Sequence, residues 1–103
     1  MDAVGGFSLR VEQGANVVVV WLSGEVDIAT SPMLNQCLQE LNGQAITIDF
    51  SDVTFLDSSA LRVLVLKHNE SGDGRLVLRG VRPEQMKVFE ITALDEVLRF
   101  DNA

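Results

Sequence analysis

Few residues in this chain have side chains suited to a reaction: a single histidine, His68, a single cysteine, Cys37, scattered carboxylates, and the run Asp57-Ser58-Ser59. Hydrolysis by a serine needs a histidine base within hydrogen-bond reach and an oxyanion hole. Ser58 and His68 lie ten residues apart on one expected helix, and at 1.5 Å per residue that is an axial separation of about 15 Å. They cannot pair. The sequence holds no G-x-S-x-G elbow, P-loop, G-x-G-x-x-G or H-E-x-x-H motif, so the expectation is a protein that is not an enzyme and uses no cofactor. His68 then reads as a surface histidine late in a helix, and Cys37 as a small core hydrophobe.

Asp49, Asp52 and Asp57 could suggest a site for a hard cation, which wants clustered oxygen ligands. Each also occupies a habitual place for aspartate: Asp49 at an outward strand position, Asp52 in a turn, Asp57 at a helix cap. No metal is expected. Asp57-Ser58-Ser59 is more informative, because it puts two hydroxyls where a strand-to-helix turn leaves helix N–H groups unpaired. A phosphate on a serine here would meet backbone donors and the positive end of the helix dipole. It would also add negative charge to a surface that Asp57 already makes acidic, at little cost to the fold.

The elements that must position this run can be read from periodicity. Phe7, Leu9 and Val11 alternate with Ser8, Arg10 and Glu12, as in a strand with one buried face. After the turn residues Gln13-Gly14-Ala15-Asn16, the segment 16–22 is apolar on both faces, as a central strand would be, so a hairpin is expected. Thr30-Ser31-Pro32 offers a hydroxyl cap followed by proline at the first helical position, for a helix whose buried stripe is Leu34, Cys37, Leu38 and Leu41, with Gly43 beyond its end.

Residues 45–50 alternate as a third strand, which a right-handed crossover places parallel to the second. The apolar run 61–68 fits strand or helix alike. The N-capping side chains of Asp57-Ser58-Ser59 in front, with Ser71-Gly72-Asp73-Gly74 behind, decide for a helix of about three turns. A fourth strand follows at 75–79. Pro83 opens a third helix through Thr92, with Met86, Val88 and Phe89 facing inward, and 97–100 suits a short closing strand. The order ββαβαβα(β) describes an α/β fold, a mixed sheet with helices packed against it.

At 103 residues and 47% apolar content, residues 1–103 are expected to form one domain with an ordered core over about 6–101. The longest apolar run, Val17 to Leu22, is six residues, against about 20 for a membrane-spanning helix. Met1-Asp2-Ala3-Val4-Gly5-Gly6 has neither the basic residue nor the apolar stretch of a signal peptide, and a cytoplasmic location is expected. The net charge of −7 opposes nucleic acid and anionic membranes as partners. All of it precedes Ser58, since residues 1–57 hold eight acids against Arg10 alone and 58–103 hold seven of each sign. A basic partner is expected.

Gly24-Glu25-Val26-Asp27 followed by Thr30, then the ten residues from Asp52 to Leu61, Arg75-Leu76-Val77-Leu78 and Ile91-Thr92-Ala93-Leu94-Asp95 together resemble a STAS domain of the anti-sigma factor antagonist family. The resemblance implies a module that binds a serine-kinase anti-sigma factor, so releasing a sigma factor, and that is inactivated by phosphorylation of the serine after the aspartate, here Ser58. It implies a partner-binding surface of Asp57, Ser58, Ser59, Leu61 and Arg62, bordered by Gly24, Glu25 and Asp27. The kinase would supply ATP and Mg²⁺, with a phosphatase as a further candidate partner. Where the family often has glycine after the two hydroxyl residues, this chain has Ala60, a better helix former by about 1 kcal/mol, so a stiffer first turn is expected. The alternative is a STAS accessory subunit of another assembly, such as a lipid-transport ATPase complex, docked permanently and never modified. The sequence leaves oligomeric state open.

Overall fold

The computed structural model describes residues 6–72 and 74–101. Asp73 in the expected turn and residues 1–5 of the expected leader-free amino terminus therefore lie outside the described residues. Strands β1 (Ser8–Gln13) and β2 (Val18–Val26) form the expected hairpin. They are followed by α1 (Ser31–Glu40), β3 (Ile46–Leu56), α2 (Ser58–Ser71), β4 (Leu76–Arg79), α3 (Pro83–Ile91), a 3-10 turn at Leu94–Glu96 and β5 (Arg99–Asp101). The sheet runs β1-β2-β3-β4-β5, antiparallel at β1 and parallel at every other pairing. Successive parallel strands added in one direction by right-handed crossovers put every connecting helix on the same face. Val20, Leu22, Ile48, Phe50, Leu78 and Phe89 meet there in one core with Leu34, Leu38 and Leu64.

Because the other face carries no helix among the described residues, β2 is not buried on both sides as its composition suggested. Val18, Val20 and Leu22 are buried, whereas Val19 and Trp21 are only half-buried. Trp21 is flanked instead by guanidinium groups, Arg10 at 5.2 Å and Arg79 at 4.8 Å from the ring centroid, and its Nε1–H donates to Glu12 at 2.9 Å. Asp49 opens on the same side but is buried, not outward-facing, since Arg79 Nε donates to its carboxylate at 2.8 Å. Burial pushes the Asp49 carboxyl up, but the hydrogen bonds from Arg79 and Ser51 and the guanidinium charge outweigh it, leaving its pKa below the ordinary carboxylate value.

The third strand is longer than expected, and Asp52 lies within it rather than in a turn. The pairing of β2 with β3 skips between Trp21 and Ser23 and again between Gly24 and Glu25, each time opposing an extra β3 residue. These bulges break the period-2 alternation by which a strand is recognised. Since β4 pairs with β3 only as far as Asp49, the carbonyl of Val53 has no strand neighbour on that side among the described residues. Gln85 Nε2 donates to it at 2.6 Å, and the Arg82 guanidinium donates to it as well, so α3 completes the edge of β3.

In α1, Leu34, Cys37 and Leu38 are buried as expected and Leu41 packs at the margin. Burial and the neighbouring Glu40 carboxylate push the Cys37 thiol up from its ordinary value, which suits a packing role. α1 begins at Ser31, one residue before the expected proline start, so Pro32 is its second residue, and Thr30 precedes it without a side-chain cap; the Thr30 hydroxyl serves the preceding loop instead. Helix α2 has 14 residues rather than about three turns. His68 is half-buried, not a surface residue, and its Nδ1 is shielded without a hydrogen-bond partner among the described residues. Lys67 is buried beside it, with Nζ 3.3 Å from Glu70. In α3, Phe89 is buried edge-on to Phe100 at 5.1 Å, while Met86 and Val88 are partly buried.

Candidate functional site

Asp57 adopts an extended backbone at φ −126° and accepts the N–H groups of Ser59 at 2.9 Å and Ala60 at 3.4 Å on Oδ1. Two of the donors that a helix start leaves unpaired are thereby satisfied. Leu61 N–H donates to the Asp57 carbonyl at 3.2 Å, so α2 begins in regular geometry at Ser58. Ala60 is fully buried in this first turn. Ser58 is exposed, and its hydroxyl has no hydrogen-bond partner among the described residues. Ser59 is half-buried one position further on.

The Gly24 to Asp27 segment reaches the same place because β2 and β3 run parallel, with Val26 opposite Leu56. Gly24 has φ +88°, and a Cβ built there would lie 2.0 Å from the Gly6 carbonyl oxygen, so it is a position for glycine on two counts. Glu25 is exposed beside it. Asp27 differs: its carboxylate accepts from Ala29 N–H at 2.9 Å and Thr30 N–H at 3.1 Å, while Thr30 Oγ1 donates to the Glu25 carbonyl at 2.8 Å. This carboxylate shapes the loop before α1 and is not a free charge.

Two open grooves flank the start of α2. One, of about 360 Å³, is lined by Ser58, Leu61 and Val65 and by Thr92 and Leu94 of the segment after α3. The other, of about 440 Å³, lies between α1 and α2, where Ile28, Pro32 and Ser59 line it. Arg62 and Leu66 line both and therefore form the ridge between them. Arg62 and Leu66 follow Ser58 at i+4 and i+8, along one stripe of the helix. Leu66 is 51% exposed and Ile28 78%, large apolar groups turned to solvent at the edge of a hydroxyl site.

Of the eight residues expected at a partner surface, the structure brings Asp57, Ser58, Ser59, Arg62, Gly24 and Glu25 to one end of the sheet. Leu61 is mostly buried but lines the Ser58 groove, and Asp27 sits beneath the loop. The sequence reading missed Ile28, Leu66, Thr92 and Leu94. Leu66 was within reach through the i, i+4, i+8 stripe, and Thr92 and Leu94 stood in the Ile91–Asp95 segment that carries the resemblance; Ile28 carried no signal. The carboxylates do not converge as a metal site would require, since Arg79 holds Asp49 and the helix start holds Asp57.

Residues 9–99 match the family described as Mlab, STAS domain. The chain belongs to the STAS domain family. Its relatives include the anti-sigma-B factor antagonist of Bacillus subtilis, 30% identical over 95 residues, covering 88% of this chain and 87% of that protein. The anti-sigma-B factor antagonist of Listeria monocytogenes is 29% identical over 96 residues, covering 88% of this chain and 84% of that one. Among solved structures, an anti-sigma factor antagonist from Mycobacterium paratuberculosis superposes on this STAS domain with a TM-score of 0.87 at 26% identity, covering 100% of this chain and 92% of that one. Among the described residues, no helix of this STAS domain is long and apolar enough to cross a membrane.

Proposed function

We propose that this STAS domain is a cytoplasmic, non-enzymatic anti-sigma factor antagonist. It docks on a serine-kinase anti-sigma factor through the Ser58 surface and is switched off when that kinase phosphorylates Ser58. The observation that carries the reading is the exposed Ser58 hydroxyl, without a hydrogen-bond partner among the described residues, at the start of α2 beside the Arg62 and Leu66 ridge. In the transfer, the bond from the ATP γ-phosphorus to ADP breaks, a bond to Ser58 Oγ forms, and the hydroxyl proton passes to a base of the kinase. The kinase holds ATP and Mg²⁺; this chain contributes the accepting hydroxyl and the docking surface. A phosphatase reverses the modification.

Phosphate brings about −1.5 to −2 charges to a helix N-terminus that tolerates them, with Arg62 one turn away. The isolated domain keeps its fold. An interface closing over the same group has to desolvate those charges beside Asp57, which costs several kcal/mol, and each 1.4 kcal/mol is tenfold in affinity. The test is calorimetric titration of the anti-sigma factor into unmodified and phosphorylated protein, with a melting curve of each and mapping of the phosphate. Expected are modification at Ser58, abolished by Ser58→Ala but not by Ser59→Ala, nearly unchanged melting, and affinity lower by about a hundredfold or more. Phosphate at another residue, or affinity within a factor of about three, overturns the switch and leaves a permanently docked STAS module.

A further inference from the structure

β1 is the open edge of the sheet: among the described residues no strand pairs with it on the side away from β2. Which of its backbone groups face outward follows from the hairpin. Gly14 N–H donates to the Val17 carbonyl at 2.9 Å, so that facing pair is hydrogen-bonded. In an antiparallel ladder such pairs alternate with pairs that are not. In the observed register, Leu9 opposite Leu22, Val11 opposite Val20 and Gln13 opposite Val18 are then the pairs without mutual bonds. Val18 N–H indeed turns the other way, to Ala45 at 2.9 Å. The N–H and C=O groups of Leu9, Val11 and Gln13 therefore point away from β2 as unused ladder positions.

Beside this edge lies an open groove of about 420 Å³ between β1 and α1, lined by Leu9, Val11, Met33, Gln36, Cys37 and Glu40. Val11 is 42% exposed there, although it sits on the same strand face as half-buried Leu9. On the opposite strand face are the two charges of β1, Arg10 and Glu12, both exposed and 3.7 Å apart as an ion pair within the strand, which a neighbouring copy would have to exchange for pairs across the interface.

We propose that β1 pairs antiparallel with β1 of a second copy of this chain about a two-fold axis at Val11. That register puts Arg10 opposite Glu12 of the second copy and Glu12 opposite its Arg10, two opposite-charge pairs directly across the ladder. A two-fold axis at Leu9 sets Arg10 against Ser8 and Glu12 against Gly6; one at Gln13 sets Arg10 against Asn16 and Glu12 against Gly14. Only the Val11 register pairs the charges, and this self-complementarity selects a second copy over an unrelated strand. An isologous interface of this kind closes on itself as a dimer. It continues the sheet from five strands to ten, and the two Val11 side chains and their grooves cover one another. Asp57 and Ser58 stay clear, because they follow β3, two strands from the edge.

The experiment is sedimentation velocity of the whole chain over a concentration series, with melting curves of each variant. A monomer–dimer equilibrium is expected. Arg10→Glu and Glu12→Arg, each placing like charges opposite one another twice, should weaken it by about tenfold or more. Their equimolar mixture should recover the affinity, because the mixed dimer again faces opposite charges on both sides. Val11→Pro should abolish dimerisation and leave a folded monomer, since Val11 N–H does not donate to β2. A wild-type chain that stays monomeric up to about 1 mM, a mixture no tighter than its components, or a dimer that survives Val11→Pro overturns the proposal.

Discussion

The backbone N–H of Asp57 donates to the carbonyl of Val26 at 3.2 Å, tying the residue that caps α2 to the last residue of β2. The same Val26 stands opposite Leu56 in the parallel ladder. Two segments some thirty positions apart in the chain thus form one rigid corner, with the Ser58 hydroxyl on one side and Glu25 on the other. The cap and the loop cannot move independently, so a change to either is felt at the surface proposed for the partner.

Asp57→Ala should lower unfolding free energy by about 1 kcal/mol through loss of the cap, whereas Asp57→Asn, which still caps, should cost only a few tenths. Urea denaturation of both variants measures this. Partner affinity of the Asn variant then reports the charge of Asp57 separately from its capping.

Gly24→Ala should be more damaging. A Cβ there meets the Gly6 carbonyl oxygen at 2.0 Å and the backbone sits at φ +88°, so backbone strain of about 1–2 kcal/mol adds to displacement of the chain before β1. A fall of about 2 kcal/mol or more in urea unfolding is expected. Partner binding should drop with it, because Gly24 anchors the loop that carries Glu25.

The Asp49 and Arg79 pair predicts a pH dependence. A carboxyl whose folded pKa lies below its unfolded value stabilises the fold fully above the unfolded pKa, and that contribution disappears as pH falls through the folded one. Since the Asp49 pKa is depressed, stability should decline on acidification below the ordinary carboxylate pKa. Asp49→Asn should flatten that part of the profile and cost about 2 kcal/mol at neutral pH. Melting temperature against pH for both proteins checks it.

Arg62→Ala and Leu66→Ala should separate binding from folding. Both side chains are exposed on the ridge between the two grooves, so stability should stay within about 0.5 kcal/mol of wild type. Affinity for the anti-sigma factor should fall by about tenfold or more if either is a central contact. Calorimetric titration beside a melting curve distinguishes the two effects.

The features legible before any coordinates were those whose cause is local. Asp57-Ser58-Ser59 reads as a helix start because the capping carboxylate and the donors it satisfies lie within four residues. The Leu34, Cys37 and Leu38 stripe reads correctly because one helix repeat brings those side chains to one face. Where a distant partner decides, the reading failed. Asp49 looked outward until Arg79, thirty positions on, covered it. Thr30 looked like a cap until its hydroxyl turned to Glu25, and Asp52 looked like a turn until bulges carried β3 on to Leu56.

The alternation of apolar residues and the caps thus determined by themselves the element order, the parallel strand-helix-strand unit and the place of the Ser58 hydroxyl, because hydrogen bonds within a few residues and one helical or strand period suffice for these. Tertiary structure alone decided which side chains of other elements join the α2 stripe around that hydroxyl. Ile28 comes from the loop before α1, Leu66 from the third turn of α2, and Thr92 and Leu94 from the segment after α3. Leu66 shares a helix stripe with Ser58, but its meeting with the others depends on right-handed crossovers stacking all three helices on one face of the sheet, which no helical or strand period within the segments of Ile28, Thr92 and Leu94 encodes.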